Sequence, residues 1–203
     1  MIEPSPQPRP PAVATAERPW WTLSGPGLSA VVAVCQLAML LGPLHSSLQR
    51  DLGVSAAALA AITVVPLAAA LLGGGLGYLL GWRAPTSAVV AGLLSMLVGA
   101  VVTALSPTSA MVLAAGAVTG LGAGAVLGTA AALTGRVDGH RATARLVLGL
   151  AALGGLAAGV VLGWVLPTML SWRLAYLSMV VLILVALVAT AVSGVLASAR
   201  DPR

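Results

Sequence analysis

The sequence of 203 residues contains no lysine, no asparagine and no phenylalanine, and only 7% of its residues are charged. A water-soluble domain carries roughly 25% charged residues, so this composition excludes a soluble globular protein. Cysteine occurs once, as Cys35 in an apolar run. A single thiol allows neither an internal disulfide nor a multi-cysteine metal site, and we expect Cys35 to be an inert buried side chain.

Signatures of catalysis and of nucleic-acid binding are also missing. The sequence has no G-x-S-x-G, no H-E-x-x-H and no P-loop motif, so we predict no enzyme activity, no catalytic residue, no cofactor and no metal site. The net charge is +5, but its ten basic residues are all arginines spread over separate polar gaps. Without a basic stripe, the charge does not predict a nucleic-acid partner.

What the sequence does contain is a series of long apolar runs, with a mean hydropathy of +1.05. A helix needs about 20 apolar residues to cross the hydrocarbon core of a bilayer. The runs predict an all-α membrane protein with spans at 28–48, 56–80, 87–105, 110–133, 146–166 and 174–197. The predicted domains are a disordered, Pro-rich cytoplasmic tail (1–26), a six-helix transmembrane domain (27–198) and a short cytoplasmic tail (199–203).

The distribution of arginine predicts the orientation of these spans. Six spans place both chain ends on one side, and eight arginines lie in the tails and in the gaps after spans two and four. Only Arg50 and Arg173 lie in the opposite gaps. The positive-inside rule therefore predicts cytoplasmic termini, and the GC-rich codon bias suggested by the composition points to a bacterial inner membrane. The arginines predicted to mark the loops are Arg83, Arg136, Arg141, Arg145 and Arg173.

Glycines recur at four-residue spacing, as in the segment GGGLGYLLGWR of the second span. In water each would cost a helix about 1 kcal/mol relative to alanine. In lipid, small residues let helix backbones approach and pack closely, so regular spacing favours packing over a mere compositional excess. The predicted packing glycines are Gly73, Gly77 and Gly81 in span two, Gly116, Gly120, Gly124 and Gly128 in span four, and Gly155, Gly159 and Gly163 in span five.

Several segments of the chain resemble parts of the N-terminal six-helix half of the major facilitator superfamily, especially its multidrug efflux branch, and they follow one another in the same order as in that family. SSLQRDLGVSAAALAAITVVPLAAALLGGGLGYLLGWR resembles the end of helix one, helix two and the next loop. GLGAGAVLGTAAAL is similar to helix four, and GLAALGGLAAGVVLGWVLPTMLSWRLAYL to helix five and the start of helix six. The resemblance implies a transporter half whose helices two and five, with their small-residue faces, meet a second half. It therefore implies a homodimer or pairing with another half.

The charges of the family's motifs are missing from this chain. Tyr78 and Leu79 stand where the loop after helix two would carry an acid and a base, and Gly116 replaces the helix-four arginine. Gln36 and Leu37 stand where the efflux branch has an acidic residue in helix one. Intramembrane carboxylates are the usual proton carriers of transporters, so the sequence predicts no proton-coupling site.

Polar side chains inside the spans supply the remaining candidates. Gln36 is predicted either to hydrogen-bond a substrate or to bond a carbonyl of the next helix. Thr119 and Thr129 complete the substrate-binding candidates, although such hydroxyls often bond back within their own helix. His45, with an unperturbed pKa of about 6.5, lies at the outer end of span one as an interfacial group or a pH sensor.

Two functions are consistent with these features. The first is a half-sized transporter for efflux or facilitated transport of a small molecule whose identity the sequence does not reveal. The second is a degenerate, non-transporting membrane protein that scaffolds or regulates a membrane partner. A truncated product of a longer transporter gene is the third interpretation.

Overall fold

The computed structural model describes residues 24–39, 49–51, 53–135, 141–169 and 171–199. Helices of these residues are α1 (Ser24–Met39), α2 (Ala56–Gly81), α3 (Pro85–Leu105), α4 (Ser109–Thr134), α5 (Arg141–Met169) and α6 (Trp172–Ala199). Five of them, α2 to α6, are long and apolar enough to cross a bilayer. The chain is thus an all-helical, multi-pass membrane protein. The apolar part of α1, Gly25–Met39, is shorter, and the rest of the predicted first span lies outside the described residues.

Two helices begin four or five residues earlier than the apolar runs predict. α1 begins at Ser24, inside the predicted tail, where Gly25 packs so closely on α6 that a Cβ would lie 3.0 Å from the Cα of Thr190. α5 begins at Arg141, five residues before its predicted span at 146. Arginine has a high helix propensity, so the helix extends past its apolar part. Hydropathy marks only the membrane-embedded part of a helix.

The helices pack as two close pairs that share a central contact. α2 packs along α4, and α5 packs along α1. α1 also contacts α4. α3 packs closely on α4 as well as on α6, and α6 packs on α1, so α3 and α6 link the two pairs. α4 and α5 touch only slightly, so a gap can open between the two pairs.

The first and last described helix ends lie together at what we call the N-terminal end of the bundle. Ser29 of α1 and Thr190 of α6 lie there with their hydroxyl oxygens 2.9 Å apart. Trp82, just after α2, lies beside Gly135, just after α4, at the same end. The turns before α2, α4 and α6 lie at the opposite end. That the N-terminal end faces the cytoplasm stays a prediction.

The spaced glycines of α2 and α4 lie at the contact between these two helices. A Cβ at Gly77 would lie 2.6 Å from the Cα of Ala125, and one at Gly120 would lie 2.8 Å from the carbonyl carbon of Pro66. Neither position has room for any side chain larger than hydrogen. The same backbone-to-glycine contacts occur at Gly73, Gly124 and Gly128, whereas Gly81 and Gly116 meet the side chains of Ala132 and Pro66.

The glycines of α5 lie against α1 in the same manner. A Cβ at Gly155 would lie 2.6 Å from the carbonyl oxygen of Val31, and one at Gly163 would lie 3.1 Å from that of Met39. Between them, Gly159 lies against the backbone of Cys35. The glycine faces of α2 and α5 are therefore filled within the chain. The inference that these faces meet a second half was wrong, because α4 and α1 already occupy them.

Candidate functional site

A small polar cavity lies in the interior of the bundle, where five helices converge. It is lined by Gln36, Leu37, Pro66, Thr103, Gly116, Thr119 and Tyr176. Gln36 is 3% exposed and Thr119 is 6% exposed. The structure thus brings together two of the three predicted substrate-binding residues, but in the core of the chain rather than on an open surface.

The packing of neighbouring residues explains why these two side chains point inward. Cys35 backs onto Gly159 of α5, so the next residue of α1, Gln36, turns about 100° away from α5. Thr119 of α4 lies against Gly99 of α3, where a Cβ would collide with the threonine hydroxyl. Glycine at position 99 therefore makes room for the hydroxyl beside the cavity.

Thr129, the third candidate, lies elsewhere. Its hydroxyl donates to the carbonyl oxygen of Ala125 at 2.8 Å and lies 3.0 Å from that of Gly77. It is fully buried between α2 and α4. Thr129 thus ties these helices together and does not line the polar cavity.

A larger cleft opens between α4 and α5 at the N-terminal end of the bundle. Its volume is about 530 Å³, within the range of small-molecule sites. Tyr78, Thr134 and Arg145 provide its polar side chains, and the remaining lining is apolar or glycine: Leu127, Ala131, Gly135, Leu148, Gly149 and Ala152. Sequence reasoning took Arg145 only as a loop marker. The residues that line this cleft come from separate helices. No pattern within one segment of the sequence could therefore have predicted the cleft.

Tyr78 and Trp82 form an aromatic pair at the end of α2. The rings of Tyr78 and Trp82 meet edge to face, with centroids 6.0 Å apart and planes at 79°. Such a pair contributes about 1 kcal/mol beyond its buried area. Arg83 follows as an exposed residue whose backbone N–H donates to the Leu80 carbonyl at 2.9 Å. An aromatic contact and a backbone hydrogen bond thus stabilise the turn after α2.

At the opposite end, Arg173 closes the end of α3. Its guanidinium donates to the carbonyl oxygens of Ala104 at 3.2 Å and Ser106 at 3.1 Å, and lies 4.8 Å from the centroid of the Trp172 ring. The Trp172 indole N–H donates to Asp51 Oδ2 at 2.7 Å. The Arg173 hydrogen bonds satisfy carbonyls that a helix end otherwise leaves unpaired. Arg173 thus joins α6 to the end of α3, and Trp172 joins α6 to the segment 49–51.

The other predicted loop residues fall wholly or partly outside the described part of the chain. Arg136 and His45 lie in undescribed segments, and only the backbone of Arg141 is described. Within the described residues, no group of three His, Cys, Asp or Glu side chains is placed to hold a metal ion.

Comparisons with known proteins bear on the fold. No protein-family model and no curated protein matches the chain. Two crystal structures of a mutant of the peptide transporter POT, one in complex with alafosfalin and one with sulfate, match it with a TM-score of 0.72 at 18% sequence identity. The chain therefore shares the fold of part of this transporter. The match covers 87% of this chain but only 40% and 39% of the two transporter chains, so this chain spans about two fifths of their length.

Proposed function

We propose that the chain is one half of a small-molecule transporter and works in a bacterial inner membrane with a second six-helix half. The second half is another copy of the chain or a different chain. The observation that carries this proposal is the match of 87% of the chain to 40% of a solved transporter. A family-type transporter joins two such halves around a central cavity, and one half alone lines only one side of it.

The outward faces of α2 and α5 are the surfaces that we assign to the second half. Leu72 and Leu76 on α2 and Leu150 and Leu153 on α5 are at least 55% exposed. Small residues interrupt these faces: a Cβ at Gly75 or at Gly154 would meet no atom within 4 Å. These faces lie away from the glycine contacts within the chain, and small residues favour close helix approach in lipid.

The chemistry of the α4–α5 cleft supports a neutral or singly anionic amphipathic substrate. Arg145 supplies a positive charge, Tyr78 and Thr134 supply hydroxyls, and the rest of the lining is apolar or glycine. The six helices contain no Asp or Glu, so nothing in them matches a substrate ammonium group. The same absence leaves no carboxylate to carry a coupling proton. We therefore propose facilitated transport, or coupling supplied by the second half.

Liposome flux tests this proposal. The purified chain is reconstituted and the uptake of a neutral and a monoanionic amphipathic dye is compared with protein-free liposomes. We expect saturable uptake of both dyes without an imposed pH gradient. Arg145→Gln should lower the uptake of the anionic dye several-fold and spare the neutral one. Arg83→Gln serves as the matched control, because Arg83 is an exposed arginine outside the cleft lining.

A mass measurement in lipid decides between a homodimer and a pairing with another chain. A dimer without flux of either dye would support the alternative of a non-transporting scaffold. Flux that an imposed pH gradient drives against the dye concentration would show that a proton path exists. If the purified chain is a monomer and transports neither dye, its second half is a different chain.

The orientation is proposed from the arginine asymmetry. Single cysteines at Ser5 and Ser198 in a Cys35→Ala background should resist an impermeant thiol reagent in intact cells. They should react after the membrane is permeabilised. Labelling of either cysteine from outside would contradict cytoplasmic termini.

A further inference from the structure

Gln36 lies inside the bundle with both of its amide atoms, Nε2 and Oε1, buried and without a protein partner among the described residues. The Thr119 hydroxyl oxygen is also buried and has no hydrogen-bond partner among the described residues. Buried polar groups in folded proteins nearly always have a hydrogen-bond partner. An unpaired one lowers the stability of the folded state, because it has lost its hydrogen bonds to water. Two unpaired side chains that line one cavity therefore call for a common partner.

Pro66 leaves a further polar atom unpaired near these side chains. It lies within α2 and lines the cavity. Proline has no N–H, so the carbonyl of Ile62, four residues earlier, loses its helical hydrogen bond. In membrane proteins, ordered water or neighbouring side chains commonly satisfy such a carbonyl.

The volume of the cavity is sufficient for one small bound molecule. The cavity has room of about 10 Å³, which is close to the least that holds one water molecule. Tyr176 and Thr103 add hydroxyl groups to its wall. The Thr103 hydroxyl already donates to the Gly99 carbonyl at 2.7 Å, so it is left as an acceptor for a guest.

We propose that this cavity binds a single long-lived water molecule, held by the Gln36 amide and the Thr119 hydroxyl. Water can accept from the Gln36 N–H groups and donate to the Thr119 oxygen. It thereby joins α1 to α4 at the contact between the two helix pairs. A cation fits these groups less well, because it cannot satisfy the Gln36 amide nitrogen. The inference stands apart from transport, since it concerns the closed interior of the chain.

Magnetisation transfer from water to the Gln36 side chain tests the proposal. The chain has three glutamines, Gln7, Gln36 and Gln49, so selective ¹⁵N-glutamine labelling of the full chain in nanodiscs gives few side-chain signals. The Gln36 pair is assigned by its loss in Gln36→Leu. We expect cross-relaxation between the Gln36 amide protons and water, with opposite signs in the laboratory and rotating frames, as bound water gives. Absence of that cross-relaxation in a folded sample would overturn the proposal.

Threonine variants locate the water. Thr119→Val removes one of its partners and should reduce the Gln36 cross-relaxation to about half or less, since buried water typically relies on about three hydrogen bonds. Thr129→Val is the matched control: its hydroxyl bonds to backbone outside the cavity, and the Gln36 signal should not change. An equal effect of both variants would contradict the assignment. So would Gln36 shifts that follow sodium concentration, because they would identify a cation in the cavity.

Discussion

The close contact between α2 and α4 predicts that alanine will have different effects on stability at two glycines of α2, Gly75 and Gly77. A Cβ at Gly77 would lie 2.6 Å from the Cα of Ala125 and 2.7 Å from its carbonyl carbon. Carbon atoms pack favourably at about 3.5 to 4.0 Å. Gly77→Ala therefore requires the helices to separate by about 1 Å at this point, and the obstacle is backbone that has no rotamer to change.

The expected cost of Gly77→Ala is about 1 to 3 kcal/mol, as for other overpacked sites. The real value should lie toward the upper part of this range, because separation at Gly77 also loosens the neighbouring contacts of Gly73 and Gly124. At Gly75 the added Cβ meets no atom within 4 Å. Gly75→Ala should therefore be neutral or should stabilise the protein by about 0.4 to 1 kcal/mol.

Unfolding of the full chain in mixed micelles by titration with a denaturing detergent measures both variants, with tryptophan fluorescence as the signal. The two free energies of unfolding should differ by about 2 kcal/mol or more. Equal stability of the two variants would refute the close backbone approach. It would mean that α2 and α4 pack through side chains.

Further predictions concern the opposite end and the α1–α5 contact. Arg173→Gln should lower the free energy of unfolding by about 1 kcal/mol, because the carbonyls at the end of α3 lose a charged donor; unchanged stability would contradict this role. Trp172→Phe should cost more than Arg173→Gln, because it leaves Asp51 without its indole donor and also removes part of a fully buried ring. Asp51→Asn keeps an acceptor oxygen and should cost less in the same titration. Gly159→Leu should reduce the folded yield measured by size exclusion and circular dichroism, since the side chain meets the α1 backbone; a well-folded monomer would instead show that Gly159 lies at a subunit contact.

The apolar lengths and the absence of charge predicted the helical, membrane-spanning architecture, because a bilayer enforces both. The helix ends were less predictable. The helical start at Arg141 has a polar sequence, and hydropathy carries no information on helix outside the hydrocarbon core. The start at Ser24 depends on the fit of Gly25 against a helix some 165 residues later in the chain.

The glycine spacing could not predict which helix packs against each glycine face. A four-residue glycine repeat looks the same whether it meets a helix of its own chain or of another, so the faces of α2 and α5 were assigned to a second half when α4 and α1 fill them. The same limit applies to the polar candidates. Gln36 and Thr119 share a cavity while Thr129 bonds to backbone, and only the relative rotation of the helices distinguishes these cases.

The interlocking of α2 with α4 restricts how this bundle can move. Carbonyl groups of each helix sit against glycines of the other, as at Gly77 and Gly120. A slide of one residue along the contact would place side chains such as Leu121 where only hydrogen fits, so the α2–α4 pair has one register. The α1–α5 pair is locked in the same way. The α4–α5 cleft therefore lies between two pairs of fixed register, which α3 and α6 hold together.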